Sequence, residues 1–290
     1  MLKEFEGRVA VVTGAASGIG MGLARQCAAK GMRLALADVD EGGLSQIGKE
    51  LEAKGSEVCV LPTDVRQAEN VEALASATLE RFGAVHLVFN NAGVLLSGCA
   101  WERTDDDWRW VLDVNFFGVV NGVRTFVPIF LDQGEPAHMV NTASVGGLMV
   151  GPYLSPYIVS KHAVVALTES VYHELAALGS PVGISVLCPG PIATGISDSE
   201  RIRPADRAET RPLASDAERD YDTMLSSGIA AGMDPDDVGK IVFEALVADR
   251  FWIYTHPVYT EAIQGRMESI LAGTNPGNAM EIPDDLAPDS

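Results

Sequence analysis

Short apolar runs separated by stretches of helical period set the rhythm of the chain. Arg8–Thr13 (RVAVVT) is β-branched and apolar throughout, the pattern of a strand covered on both faces. Similar runs recur at Arg33–Asp38 (RLALAD), Glu57–Leu61, Val85–Asn90 (VHLVFN), Ala137–Ala143 and Val182–Cys188 (VGISVLC), with a shorter one at Phe251–Tyr254. Between them lie helical patterns: MGLARQCAAK closed by Gly31, then Glu41–Lys54, Arg66–Phe82, Thr104–Leu131, Tyr153–Leu178, Asp234–Ala248 and Tyr259–Leu271. Thr104 followed by Asp105–Asp107 marks a helix start, and Pro128 is expected to bend or end that helix. Strands alternating with helices predict βαβ units, hence an α/β fold: a doubly wound parallel sheet of about seven strands with helices on both faces, in a single domain. From Gly195 to about Gly232 the pattern dissolves into a mixed-charge segment, which reads as a lid, a binding loop or disorder. The catalytic domain is therefore expected over residues 1–272, with 195–232 as a substrate lid or loop and 273–290 as a flexible acidic tail.

Composition narrows the function. The 290 residues, 47% hydrophobic with 29 glycines, suffice for one large core. A net charge of −19 argues against a nucleic-acid groove or an anionic membrane as partner. No run of about 18 apolar residues is seen, so no membrane-crossing helix is expected. MLKEFEGRVAVVTG enters a strand directly after acidic residues, unlike a signal peptide. Cys27, Cys59, Cys99 and Cys188 are scattered without metal-like spacing and the histidines share no ligand pattern, so a cytoplasmic protein without a metal site is expected.

In sheets of this class ligands lie beyond the carboxyl ends of the strands. The first strand runs into Thr13-Gly14-Ala15-Ala16-Ser17-Gly18-Ile19-Gly20 and then a helix. Gly14 suits a tight turn, Gly18 close approach to a pyrophosphate, and Gly20 close packing of helix on strand, while the helix N-terminus offers N–H groups to an anion. Asp38 ends the second strand where a carboxylate can accept from ribose hydroxyls; its alternative is to cap the next helix. Neither Ser17 nor Val39 offers a cation for a 2′-phosphate, which favours NAD over NADP. Asp64 could reach an adenine amine or cap a helix, and Asn91-Ala92-Gly93 allows close approach of a flat ring or ribose. Asn115, in an apolar stretch, is either a structural hydrogen bond or part of a polar relay. Tyr157 and Lys161 are i and i+4 on a helix, and an ammonium beside a phenol lowers its pKa toward a working value. Such a tyrosine can exchange a proton with an alcohol or carbonyl oxygen, and Ser144, on the preceding loop, can hold the same oxygen. Tyr-x-x-x-Lys also arises by accident; convergence with the glycine turn, Asp38, Asn91 and Pro189–Thr194 on one rim removes most of that reading's weight.

With those residues, the chain resembles the short-chain dehydrogenase/reductase family, over roughly Phe5 to Ala248. The matching motifs are TGAASGIG (13–20), Asp64-Val65, NNAG (90–93), Asn115, Ser144, YIVSK (157–161) and PGPIAT (189–194). The resemblance implies a Rossmann-type fold, with Tyr157 as acid/base, Lys161 binding the nicotinamide ribose and depressing the tyrosine pKa, and Ser144 orienting the substrate oxygen. It implies that Asn115 holds a water behind Lys161, that Pro189, Gly190, Ile192 and Thr194 contact the nicotinamide side, and that the Thr13–Gly20 loop, Asp38, Asp64, Val65 and Asn91 hold the adenosine half. The family's Asp-Gly-Gly ending is missing; FWIYTHP and a further helix replace it. GVVNGVRTFVP, ASVGGLMVGPY and RIRP are similar to bacterial aryl-ether Cα-alcohol dehydrogenases, which act on bulky benzylic alcohols. The expected activity is thus NAD-dependent interconversion of a secondary alcohol and a ketone by a homodimer or homotetramer. The rivals are a non-catalytic dinucleotide sensor, an epimerase or dehydratase holding its NAD tightly, and an NADP-dependent carbonyl reductase. Leu95, Leu148, Met149, Tyr153 and the lid are expected to line an apolar pocket, and Trp101, Trp108 and Trp110 to serve packing or subunit contacts.

Overall fold

Each apolar run becomes a strand of one sheet in the computed structural model, which describes residues 2–277. The strands are β1 (Val9–Thr13), β2 (Arg33–Asp38), β3 (Val58–Pro62), β4 (Leu87–Asn90), β5 (Ala137–Thr142), β6 (Val182–Cys188) and β7 (Trp252–Tyr254). Their order is β3-β2-β1-β4-β5-β6-β7, and every neighbouring pair is parallel. The order reverses between β1 and β4, which opens a crevice at their carboxyl ends. The helices are α1 (Gly18–Ala29), α2 (Glu41–Ala53), α3 (Ala68–Phe82), α4 (Asp105–Leu112), α5 (Gly118–Gln133), α6 (Ser155–Ala177), α7 (Asp216–Ala230), α8 (Pro235–Val247) and α9 (Thr260–Ala272). Alternate side chains of each strand point to opposite faces. Leu34 and Leu36 accordingly pack with Leu23 of α1 and Phe243 of α8, while Val9 and Val11 pack with Phe126 and Phe130 of α5 and Leu175 of α6. The doubly wound architecture and single domain agree with the pattern read from the sequence; the tail beyond residue 277 lies outside the described residues.

Four local expectations change. Pro128 does not end its helix: α4 and α5 form one rod from Asp105 to Gln133. That rod carries a π-helical turn at Asp113–Phe117, where Gly118 N–H bonds back to the Asp113 carbonyl. The rod is also long and apolar enough to cross a membrane, with mean hydropathy 1.4 over its best window, contrary to the expectation that no such helix exists. Here Phe126 and Phe130 bury it against the sheet. Tyr153 lies outside α6 with φ +60°, and α6 begins at Ser155. The fourth change is the mixed-charge segment, much of which is helical. It holds 3-10 turns at Gly195–Ile202 and Ala205–Arg207, then α7. Ser215 and Glu218 close a reciprocal capping box at the start of α7, the signal in the sequence that marked it.

Candidate active site

The carboxyl ends of the strands open onto a cavity of about 480 Å³. Its first wall is the turn from β1 to α1. Gly14 and Gly18 have φ +67° and +51°, the left-handed region that glycine enters without strain. A Cβ on Gly20 would lie 1.9 Å from the Gly14 carbonyl oxygen, so only glycine lets helix and turn meet there. Gly20 therefore sits behind the cavity rather than lining it, whereas Gly14, Ser17, Gly18 and Ile19 do line it. Ser17, at the N-cap, makes no side-chain cap bond, and the first turn of α1 carries no acid. The N–H groups and positive dipole end of α1 thus remain available to an anion.

At the end of β2, Asp38 accepts from Ala16 N–H at 2.9 Å and from Asp40 N–H at 3.0 Å. Burial pushes its pKa up, opposed by these backbone donors. A carboxylate offers about four acceptor sites, so Asp38 keeps capacity for further donors. It does not cap α2; Asp40 does, accepting from Gly43 N–H at 3.1 Å. Asp64 takes a fork from Arg66, with Nη2 at 2.7 Å, and α3 starts only at Ala68, so Asp64 caps no helix either. Arg66 reaches on to Asp206, in the segment 195–232, at 3.2 Å. The cation nearest this end is therefore already shared between two carboxylates. Val65, Ala92 and Gly93 continue the wall. Asn91, which also lines it, uses its side chain to tie strand ends together, donating to the Thr13 carbonyl at 3.1 Å and accepting from Thr142 Oγ1 at 3.3 Å. An anion-binding helix end with a carboxylate across from it is the donor and acceptor set a dinucleotide requires, and these residues fit one.

Ser144, beyond β5, and Tyr157 and Lys161, on α6, line the same cavity. Lys161 Nζ donates to the Thr142 carbonyl at 2.9 Å and lies 5.6 Å from the centre of the Tyr157 ring. Ser144 Oγ accepts from Gly146 N–H at 3.0 Å. Burial raises the Tyr157 pKa, with the neighbouring Ser144 hydroxyl opposing it, and lowers that of Lys161 to about 8. The expected downward pull of Lys161 on Tyr157 does not appear: burial dominates, and the opposing contact is the Ser144 hydroxyl. Asn115, in the π turn, is fully buried and lies off the cavity. Its side chain accepts from Val94 N–H at 2.8 Å and donates to the Val94 carbonyl at 2.9 Å and to Ser160 Oγ at 3.0 Å. Gly93 lies beside it: a Cβ there would be in ordinary contact with Asn115 Oδ1 at 3.4 Å and Lys161 Nζ at 3.5 Å. Pro189, Gly190, Ile192 and Thr194 complete the rim after β6. Gly190 is braced from the C-terminal segment: its N–H donates to Thr255 Oγ1 at 3.0 Å, and a Cβ would meet His256 Nδ1 at 2.7 Å.

A family model for short chain dehydrogenases matches residues 8–204. The chain is a short-chain dehydrogenase/reductase. A solved member from Burkholderia phymatum in complex with NAD superimposes with TM-score 0.93 at 46% identity, covering 97% of this chain and all of that one. The 1-deoxy-11-beta-hydroxypentalenate dehydrogenase of Streptomyces exfoliatus is 37% identical over 251 residues, 86% of this chain and 83% of the relative. A C alpha-dehydrogenase of Sphingobium is 29% identical over 276 residues, 95% and 89% of the two chains. This dehydrogenase/reductase is accordingly an oxidoreductase acting on hydroxyl or keto groups. Its second wall is apolar and comes largely from outside the family's motifs. Leu95 and Met149 line it as expected, but Leu148 and Tyr153 do not. Trp110 lines it too, buried beneath the Arg203 guanidinium at 4.3 Å, so it is not only a packing residue. The segment 195–232 lines it as expected through Tyr221, Leu225 and Ile229 of α7, residues the sequence does not single out, and Tyr259 before α9 joins them. For the α7 residues the i, i+4, i+8 spacing after the capping box was the available signal; for Tyr259 there was none.

Proposed function

We propose that this enzyme uses NAD to interconvert a bulky, largely apolar secondary alcohol and its ketone. The observation that carries the reading is that Ser144, Tyr157 and Lys161 share one cavity with the glycine turn and Asp38. Asp38 supports NAD, because a 2′-phosphate would meet a carboxylate, and Arg66 is already held by Asp64 and Asp206. The nicotinamide supplies the hydride chemistry when bound. Tyr157 takes the alcohol proton at its phenolic oxygen, or returns it to the carbonyl oxygen, and Ser144 Oγ holds that same oxygen in line. Lys161 stays cationic near neutrality and stabilises the phenolate as it forms. Leu95, Met149, Leu154, Leu225 and Ile229 exclude water and favour a ring-bearing substrate.

The test is turnover of a panel of aryl and alicyclic secondary alcohols with NAD and NADP in parallel, beside Tyr157→Phe. Wild type should reduce NAD, and the variant should lose about a hundred- to ten-thousandfold in kcat while still binding NADH. A protein that binds NADH yet turns over no alcohol or ketone would instead be a dinucleotide sensor. Activity with NADP alone would refute the role given to Asp38.

A further inference from the structure

Helix α7 presents one face to the cavity: Tyr221, Met224, Leu225, Gly228 and Ile229, spaced i, i+3, i+4, i+7 and i+8. Its register is fixed by two carboxylates that flank this face. The Glu218 carboxylate accepts from Cys99 N–H at 2.8 Å and Ser215 N–H at 2.9 Å, and Asp222 accepts from the Ser97 hydroxyl. The Tyr221 ring is held as well, against Tyr153 at 5.4 Å between ring centres. Tyr153 keeps that place in a left-handed backbone conformation costly for a bulky side chain, with its carbonyl accepting from Gly98 N–H at 2.7 Å. Everything about Tyr221 is thus fixed except its hydroxyl, which has no hydrogen-bond partner among the described residues. Tyr221 lines the cavity, so a bound molecule can supply the partner that a phenol normally finds. Of the other polar groups of this wall, the Tyr259 hydroxyl is likewise unpaired among the described residues, while Ser199 and Arg201 are engaged. Ser199 Oγ accepts from Leu95 N–H at 3.0 Å and donates to the Ile196 carbonyl at 2.6 Å, and Arg201 is spent on the Gly195 and Asp198 carbonyls.

We infer that Tyr221 is a specificity-determining residue whose hydroxyl binds a second oxygen of the substrate, a hydroxyl, ether or carbonyl remote from the reacting carbinol. The inference rests on the cavity being the substrate site proposed above. Burial pushes the Tyr221 phenol up to about 12, so it remains a neutral donor and acceptor throughout the working range. The preferred substrate is then a hydrophobic ring system oxygenated at two separated positions, not a plain hydrocarbon alcohol.

Binding and turnover separate this inference from the reaction itself. α-Tetralone and a set of α-tetralones carrying one hydroxyl or methoxy group at each position of the far ring would be titrated calorimetrically into the NADH-loaded enzyme. At least one oxygenated ketone should bind about two- to twelvefold more tightly than the parent, the range of a neutral hydrogen bond. Tyr221→Phe should abolish that preference while leaving the affinity for the parent ketone unchanged. Leu225→Ala, which removes only apolar contact, should weaken all members alike. No preference in the wild type, or a preference that survives Tyr221→Phe, would overturn the assignment. Because binding is read directly, loss of turnover with every ketone would count against the proposed reaction without deciding the role of Tyr221.

Discussion

We propose that residues 195–232 close over the site as a lid anchored by Arg203; replacing Arg203 with Met should then open it without unfolding the domain. Its Nη2 lies 2.7 Å from Asp107, a carboxylate with no exposed surface, and its guanidinium stacks over Trp110. Asp107 is otherwise held by Thr104 N–H at 3.0 Å and, more loosely, by Arg103 at 3.9 Å. Removing one partner of a buried pair strands the other charge, at a cost of about 3–5 kcal/mol. Opening the lid relieves that cost by returning Asp107 to water. The open population should therefore rise about a hundred- to a few-thousandfold, at 1.4 kcal/mol per factor of ten. Limited trypsinolysis reads this directly, since cleavage follows the open fraction when closing is fast. Arg203 and Arg211 precede prolines and resist cutting, so the reporters are Arg201, Arg207 and Arg219. Urea unfolding of the same variant measures the domain. If cleavage at Arg207 rises less than about tenfold while the urea midpoint falls by the full amount, the lid is not a separate unit and the reasoning fails.

Two further outcomes follow from buried titrating groups. Lys161, lowered to about 8 by burial, keeps its proton near neutrality and loses it above that pH. Ketone reduction should hold a plateau up to about pH 8 and fall beyond it, and Lys161→Met should lack that step. His138 is pushed down to about 3 by burial in β5, where its Nε2 lies 2.8 Å from a Ser185 hydroxyl that itself donates to the Arg250 carbonyl. The folded chain refuses a proton that the unfolded chain accepts below about 6.5, so stability is complete above that pH and drains away toward 3. By about pH 5 the loss should reach ~2 kcal/mol in urea unfolding, and His138→Gln should flatten the dependence.

The cofactor half of the site was legible because its determinants are local. A glycine that must take positive φ, a helix opening beside it and an acid closing the next strand are properties of short segments. The sequence displays them whatever the rest of the chain does. The substrate half depends on tertiary partners. Asp107 reads as the third residue of an ordinary capping box, which it is, but its other oxygen is the socket for Arg203, 96 residues away. Glu218 likewise closes a capping box while gripping the N–H of Cys99, 119 residues away in the chain. The π turn that carries Asn115 has no compositional mark at all. Arg66 was overlooked because its two carboxylates, Asp64 and Asp206, lie in different segments.

The mixed charge of residues 195–232 suits the closing movement proposed for them. The inner face of α7 is apolar, so it has a reason to lie against the site. Its attachments are polar: Arg203 on Asp107, Arg207 on Asp113 at 3.2 Å, Thr104 Oγ1 on the Glu209 carbonyl at 2.7 Å. An attachment made of hydrophobic side chains would expose them at every opening. Ionic and hydrogen-bonded attachments are rehydrated when they part, so opening costs less than the closed geometry suggests. Arg207 also reaches the π turn through Asp113, and Arg66 reaches the adenosine end through Asp64. Lid position is thereby tied both to the helix that holds Asn115 and to the wall expected to receive the dinucleotide. A lid fastened at those two points closes best over a site whose cofactor end is already ordered, which favours dinucleotide binding ahead of alcohol or ketone.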